Sequence, residues 1–235
     1  LIACWRSLCL RLKSPYTSTS LVSCSLFPIP YFTNYYLIMT KRIFDLFLAL
    51  VGIAILLPLF LIIAILIKLD SPGSVFFRQI RIGRYGREFR IYKFRTMVTE
   101  AESIGKQITV ANDIRITRSG RFLRKYKLDE LPQLFNVAKG EMSFVGPRPE
   151  VAKYVALYTP EQRRVLEVLP GITDLASIKF RNESELLKHT ANPEIVYIKE
   201  IMPQKLELNM QYIAQISIGF DILIILRTLL RVIAI

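Results

Sequence analysis

Residues 46–67 read LFLALVGIAILLPLFLIIAILI, 22 consecutive residues without a charge. A straight helix of that length runs about 33 Å, enough to cross the hydrocarbon core of a bilayer. Two features argue against a simple span. Pro58 stands near the middle, where it lacks the N–H that the Ala54 carbonyl needs and its ring crowds that carbonyl, so a kink or break is expected. Both flanks are also basic: Lys41 and Arg42 precede the run, and Lys68, Arg78 and Arg81 follow it. Positive charge favours the cytoplasmic side at each end, which one crossing cannot satisfy. A helix broken at Pro58 that dips into one leaflet and returns meets both conditions; a kinked spanning helix is the alternative.

The 235 residues carry a formal net charge of +13, yet their mean hydropathy is +0.35. Together these values point to a membrane-associated protein that faces an anionic surface or anionic substrates. A membrane-tethered nucleic-acid-binding protein is the competing class; it needs its arginines in one duplex-facing stripe and binding that falls steeply with salt. Cys4, Cys9 and Cys24 all lie near the start, so the remainder has no disulfide, Cys-ligated zinc or thiol nucleophile. The first methionine is Met39, and residues 14–36 are rich in Ser, Thr, Pro and Tyr without periodicity. Residues 1–38 are therefore expected to be a non-native or disordered extension. The remaining expected divisions are a re-entrant membrane helix over 39–70, a cytoplasmic domain over 71–200 and an amphipathic interfacial helix over 201–235. Arg227 and Arg231 on that last helix are expected to reach lipid headgroups.

In residues 74–97, SVFFRQIRIGRYGREFRIYKFRTM, apolar and basic residues interleave around Gly83 and Gly86. Two extended segments joined by a glycine-containing turn are expected. Lys93 and Arg95 are candidates to meet a substrate phosphate; the other reading is a solvated basic hairpin. Residues 114–140 read as helix, break, helix, with Lys139-Gly140 closing the second. Asp129 and Glu130 are the only acids in that stretch, set among Lys and Arg. Adjacent carboxylates are commonplace on solvated helices, but a cationic neighbourhood and a helix start both favour ionisation here. An ionised Asp serves as a metal ligand or as a nucleophile able to form an aspartyl phosphate. Arg148, fixed between Pro147 and Pro149, is arranged for two-pronged binding of a phosphate oxygen pair. Carboxylates for a hard divalent cation, ringed by arginines, describe a phosphoryl-transfer site.

KRIFD, the Pro-interrupted apolar helix, FRIYKFRTM, LDELPQLFNV, MSFVGPRPE and LPGITDLASI follow one another in that order. The set closely resembles the bacterial sugar transferase family, the monotopic polyprenyl-phosphate phosphoglycosyl transferases, from about Met39 onward. The resemblance implies a helix-rich α/β domain on a re-entrant N-terminal helix at the cytoplasmic face of a bacterial inner membrane. It implies transfer of a phosphosugar from a UDP-sugar to undecaprenyl phosphate, with release of UMP, at the start of glycoconjugate assembly. By the same likeness Asp129 is the nucleophile, Glu130 completes the catalytic pair, and Mg²⁺ is expected beside Asp129. Lys93, Arg124 and Arg148 match basic positions around the family's phosphate site, and Pro58 matches the residue that breaks its membrane helix. Membrane lipids are implied as partners, and nucleic acid is not; a homo-oligomer or downstream glycosyltransferases fit the same picture. The chain's size resembles the minimal catalytic form. It departs from the family pattern at Leu57, where relatives carry Ser, and at Asp174 and Ser177 in the LPGITDLASI loop.

Overall fold

The computed structural model describes residues 31–99, 101, 113–188, 190 and 192–233. Expectations placed on residues 1–30, including the cysteines, and on His189, assigned no catalytic part, lie outside the described residues. The chain divides into units of residues 1–34 and 35–235. Of the first, only the opening residues of a helix are described; all other elements belong to the second.

That helix, α1 (Tyr31–Asp70), starts eight residues before Met39 and runs through Pro58 as one element. The helix continues across residue 38, and Pro58 does not end it. Proline removes one backbone donor, but packing on both sides of that point holds the helix together. Asp45, Ala49, Phe60, Ile63 and Ile67 form a buried stripe at intervals suited to one helix face. Gly52 approaches Leu134 on the same side. On the other face Phe47, Leu50, Ile55, Leu61, Ile62 and Ile65 are exposed. Among the described residues α1 alone is long and apolar enough to cross a membrane.

Lys41 and Arg42 are not free flanking charges. Arg42 donates to the carbonyls of Val137 (2.6 Å) and Ala138 (3.1 Å). Lys41 donates to the Val145 carbonyl (3.1 Å) and pairs with Asp221. At the far end, the Asp70 carboxylate accepts from the Ser119 amide and hydroxyl (2.8 and 2.7 Å). The helix is thus tied at both ends to the same folded unit.

After α1 come the antiparallel strands β1 (Phe76–Ile82) and β2 (Glu88–Phe94), in register from Phe76 opposite Phe94 to Ile82 opposite Glu88. Tyr85 and Gly86 take positive φ between them, closing the expected hairpin. Phe94 meets Phe60 edge-on at 5.4 Å and stacks on Phe76 at 5.6 Å, so the hairpin is held against α1 by aromatic packing.

Helix α2 (Arg118–Lys125), a 3₁₀ turn (Leu128–Glu130) and helix α3 (Gln133–Lys139) realise the expected helix, break and helix. Gly140 takes positive φ as the end of α3, where Arg42 covers the last carbonyls. Gly120 lies over the Thr96 carbonyl, which an added Cβ would meet at 2.1 Å. No larger residue fits that crossing of α2 and the chain leaving β2.

Strand β3 (Ser143–Val145) pairs in parallel with β4 (Gly171–Thr173). Between them lie α4 (Ala152–Val155) and a 3₁₀ segment, Gln162–Glu167. Short helices α5 (Leu175–Lys179), α6 (Glu183–Lys188) and α7 (Pro193–Val196) follow. Helix α7 passes through a π-helical turn, Tyr197–Ile201, into α8 (Met202–Ala214). Pro203 sits in the first turn of α8, where its missing donor costs least. Residues 215–217 separate α8 from α9 (Ile218–Ile233). Ser217 Oγ caps the new helix through the Phe220 amide at 3.2 Å. Asp221 and Ile224 face inward, whereas Leu226, Leu229 and Leu230 are exposed. The result is a helix-rich α/β fold.

Candidate active site

The turn Leu128–Glu130 owes its position to its neighbours. Lys127 precedes it with φ +56°, a left-handed conformation that strains a residue carrying a Cβ. Leu128 and Leu131 pack into the apolar cluster around Phe60 and Phe94. This fixes the direction in which the two carboxylates leave the turn.

They leave into different surroundings. Glu130 Oε1 accepts from Lys93 Nζ at 2.8 Å and from Arg148 Nη2, and its Oε2 accepts from Arg148 Nη1 at 3.2 Å. Asp129 is buried, and its Oδ1 has no hydrogen-bond partner among the described residues. Burial, then the neighbouring Glu130 charge, pushes Asp129 above the usual carboxylate range; Lys93, Arg124 and Lys127 oppose this without cancelling it. For Glu130 burial also pushes upward, but Arg148 and Lys93 together outweigh it and hold the carboxyl well below its ordinary value. The cationic surroundings favour ionisation of Glu130 as expected, whereas for Asp129 their pull is outweighed and the carboxyl is shifted upward. Desolvation is the reason.

Arg148 stands on the loop that leaves β3, and that loop is tied at every residue. The Pro147 carbonyl accepts from the Gly171 amide at 3.0 Å, and the Glu150 carbonyl from the Ile82 amide at 2.9 Å. Arg81 donates to the Pro149 carbonyl at 3.2 Å and lies 3.6 Å from the Glu150 carboxylate, which also accepts from Tyr197 Oη. The Arg148 amide donates to Asp174 Oδ2 at 3.2 Å. Gly146 and Gly171 allow the close crossing of the two chains, since a Cβ on Gly171 would meet the Gly146 amide at 2.1 Å. Arg124 is oriented by its Nε–H bond to Thr96 Oγ1 at 2.8 Å.

The structure thus brings together Lys93, Glu130 and Arg148 by direct contact, with Asp129 and Arg124 coupled to them electrostatically. It does not bring Arg95 there. The Arg95 guanidinium donates to the carbonyls of Ser71 and Pro72 (2.8 and 2.5 Å), beside the end of α1. Arg95 follows the last residue of β2, so strand alternation no longer places it with Lys93. Pro58, in α1, is distant in role from the carboxylates. Sequence alone did not single out Thr96, Arg81, Glu150 or Tyr197, and only Glu150, next to Pro149, carries any local signal.

Among the described residues no three His, Cys, Asp or Glu side chains gather as metal ligands. The bare Asp129 oxygen still fits an oxygen-seeking cation of the Mg²⁺ type, which takes one or two protein carboxylates and leaves the rest of its shell to water and substrate phosphate.

Comparison with known proteins decides the family. Residues 36–234 match the sequence profile described as bacterial sugar transferase. The chain belongs to the bacterial sugar transferase family. It is 41% identical over 202 residues to a UDP-glucose:undecaprenyl-phosphate glucose-1-phosphate transferase of Xanthomonas campestris, covering 84% of this chain and 39% of that protein. It is 39% identical over 194 residues to a UDP-N-acetylgalactosamine-undecaprenyl-phosphate N-acetylgalactosaminephosphotransferase of Aeromonas hydrophila, covering 80% and 42%. A Caulobacter vibrioides UDP-glucose:undecaprenyl-phosphate glucose-1-phosphate transferase is 38% identical over 192 residues, covering 80% and 67%. The chain spans about two fifths of the length of the first two relatives. Family members named for different sugars are almost equally similar to it, so overall identity does not select a donor.

Proposed function

We propose that this protein transfers a phosphosugar from a UDP-sugar to undecaprenyl phosphate, releasing UMP and forming a polyprenyl-diphospho-sugar that begins a bacterial polysaccharide or other glycoconjugate. The observation that carries the reading is the split carboxylate pair. Glu130 is held by two cations, and Asp129 is desolvated with an oxygen left unbonded. A carboxylate stripped of its hydration shell is arranged for attack rather than for structure. In the first step an Asp129 oxygen attacks the phosphorus nearer the sugar. The P–O bond to UMP breaks, and UMP leaves with the electron pair. An oxygen of undecaprenyl phosphate then attacks the same phosphorus, the bond to Asp129 breaks, and the carboxylate is restored. Lys93, Arg124 and Arg148 hold the charge that gathers on the phosphate oxygens, while Glu130 keeps Arg148 and Lys93 in place. Bound beside Asp129, Mg²⁺ would neutralise diphosphate charge in the same region.

Wild-type protein incubated with labelled UDP-sugar and Mg²⁺ but no lipid should release UMP and retain a phosphosugar adduct on Asp129. An adduct mapped to another residue, or sequential kinetics without one, removes Asp129 from the nucleophile's role.

Attachment of both ends of α1 to one folded unit supports a re-entrant, monotopic arrangement on the cytoplasmic side of the inner membrane. The exposed apolar face of α1 enters one leaflet, and the outward leucines of α9 lie at its surface. Cysteines introduced at Thr40 and Ser71 should both be labelled only from the cytoplasmic side, and periplasmic labelling of either overturns the arrangement.

A further inference from the structure

Asp174 is fully buried, and the hydrogen bonds of its carboxylate among the described residues go to backbone amides. Oδ1 accepts from the Ser177 amide at 2.6 Å and caps α5. Oδ2 accepts from the Arg148 amide at 3.2 Å. One side chain therefore joins two loops: the one that leaves β4 and the one that carries Arg148. A helix cap needs only the first bond, which Ser or Asn supplies as well as Asp. The second bond requires another acceptor pointing the opposite way, and a carboxylate has it.

The carbonyls of Pro147, Pro149 and Glu150 are tied to Gly171, Arg81 and Ile82. The Arg148 amide is the one nearest the guanidinium that grips Glu130. Moving it moves the base of that side chain.

We infer that Asp174 is a positioning residue: its free carboxylate arm sets the backbone of Arg148 and so the aim of the guanidinium at Glu130 and at substrate phosphate. The kinetic part of this inference rests on the transferase reading above, whereas the structural part stands by itself.

Two variants separate capping from positioning. Asp174→Ser retains a cap for α5 but cannot also reach the Arg148 amide. Asp174→Asn keeps the volume and one acceptor, and turns its other arm into a donor facing a donor. Both should fold and melt a few degrees below wild type, because the Arg148 amide loses its acceptor while the cap of α5 is kept. Turnover should fall about 10- to 100-fold in both, the scale expected when a charge-binding group is displaced by a fraction of an ångström to an ångström. The same changes made in an Arg148→Ala background should cost less than about two-fold further, because the effect passes through Arg148. Hydrogen exchange supplies a readout free of any assumption about substrate. The Arg148 amide should lose protection in both variants, while the Ser177 amide keeps it. Unchanged Arg148 protection overturns the inference whatever the activity. So does wild-type turnover in the Ser variant, or a full additional loss in the Arg148→Ala background. Absence of UMP release from wild type with every donor would count against the proposed function alone, and the exchange result would still decide the role of Asp174.

Discussion

The two sides of the candidate site are built in opposite ways. The loop 147–150 has its backbone bonded at each residue and carries a side chain whose charge is matched by Glu130. The turn 127–130 opens on a strained Lys127 and carries, in Asp129, a buried carboxylate oxygen that has no hydrogen-bond partner among the described residues. One side spends hydrogen bonds on a fixed frame; the other keeps an unmet demand. Unsatisfied buried acceptors cost stability, so they persist only where surrounding structure holds them. The contrast separates the part that aims from the part that reacts.

The largest effect should come from removing the unmet demand. Asp129→Asn keeps the shape but loses the anion, so turnover should fall by several orders of magnitude. Stability should respond in the opposite sense. A carboxylate whose folded pKa is raised weakens the fold as pH rises from its unfolded value, near 4, through its folded value. In EDTA, Asp129→Asn should therefore melt above wild type at pH 7, and that advantage should shrink as pH falls toward 4. Glu130 works the other way. Its depressed pKa contributes stability above the unfolded value, near 4.3, which is lost as pH falls through the lower folded value. An Asp129→Asn protein less stable than wild type at pH 7 would erase the distinction between the two sides.

Much of this division could be read from the sequence, and the exceptions share a cause. The hairpin, the helix–break–helix region and the end of α3 at Gly140 follow from local pattern and turn chemistry. What failed depends on distant partners. Arg95 resembles Lys93 in sequence but is claimed by the carbonyls of Ser71 and Pro72. Lys41 and Arg42 look like interface charges until β3 and α3 supply their acceptors. Pro58 marks a local weakness, yet α1 continues through it, and burial pushes Asp129 above the usual carboxylate range against the pull of its cationic neighbours. No local rule contains those neighbours.

Second in size is Arg148→Lys. The charge is kept, but one ammonium cannot reproduce two guanidinium contacts with Glu130. Turnover should drop about 100-fold while the melting temperature changes little, since this side chain is a third exposed. Near-normal turnover would assign Arg148 to the frame rather than to the chemistry.

The smallest expected change probes the frame alone. Tyr197→Phe removes one hydrogen bond to Glu150 but leaves the Arg81 contacts. A loss of about 1 kcal/mol should lower the melting temperature by about 2–4 °C, with turnover reduced only a few-fold. A fall in turnover matching that of Arg148→Lys would show that the loop has little redundancy.

The tie between Lys41 and Asp221 joins residues 180 positions apart. On the ribosome, the apolar helix emerges well before Asp221, so its Lys41 at first lacks a partner. Asp221 and the Tyr212 hydroxyl that bonds to it follow the loops that surround the carboxylates. The seat of α1 is therefore completed only after those loops have been synthesised. A nascent chain released before residue 221 would keep its grip on the bilayer and leave the Lys41 ammonium without its counter-charge, a state that quality-control proteases can recognise.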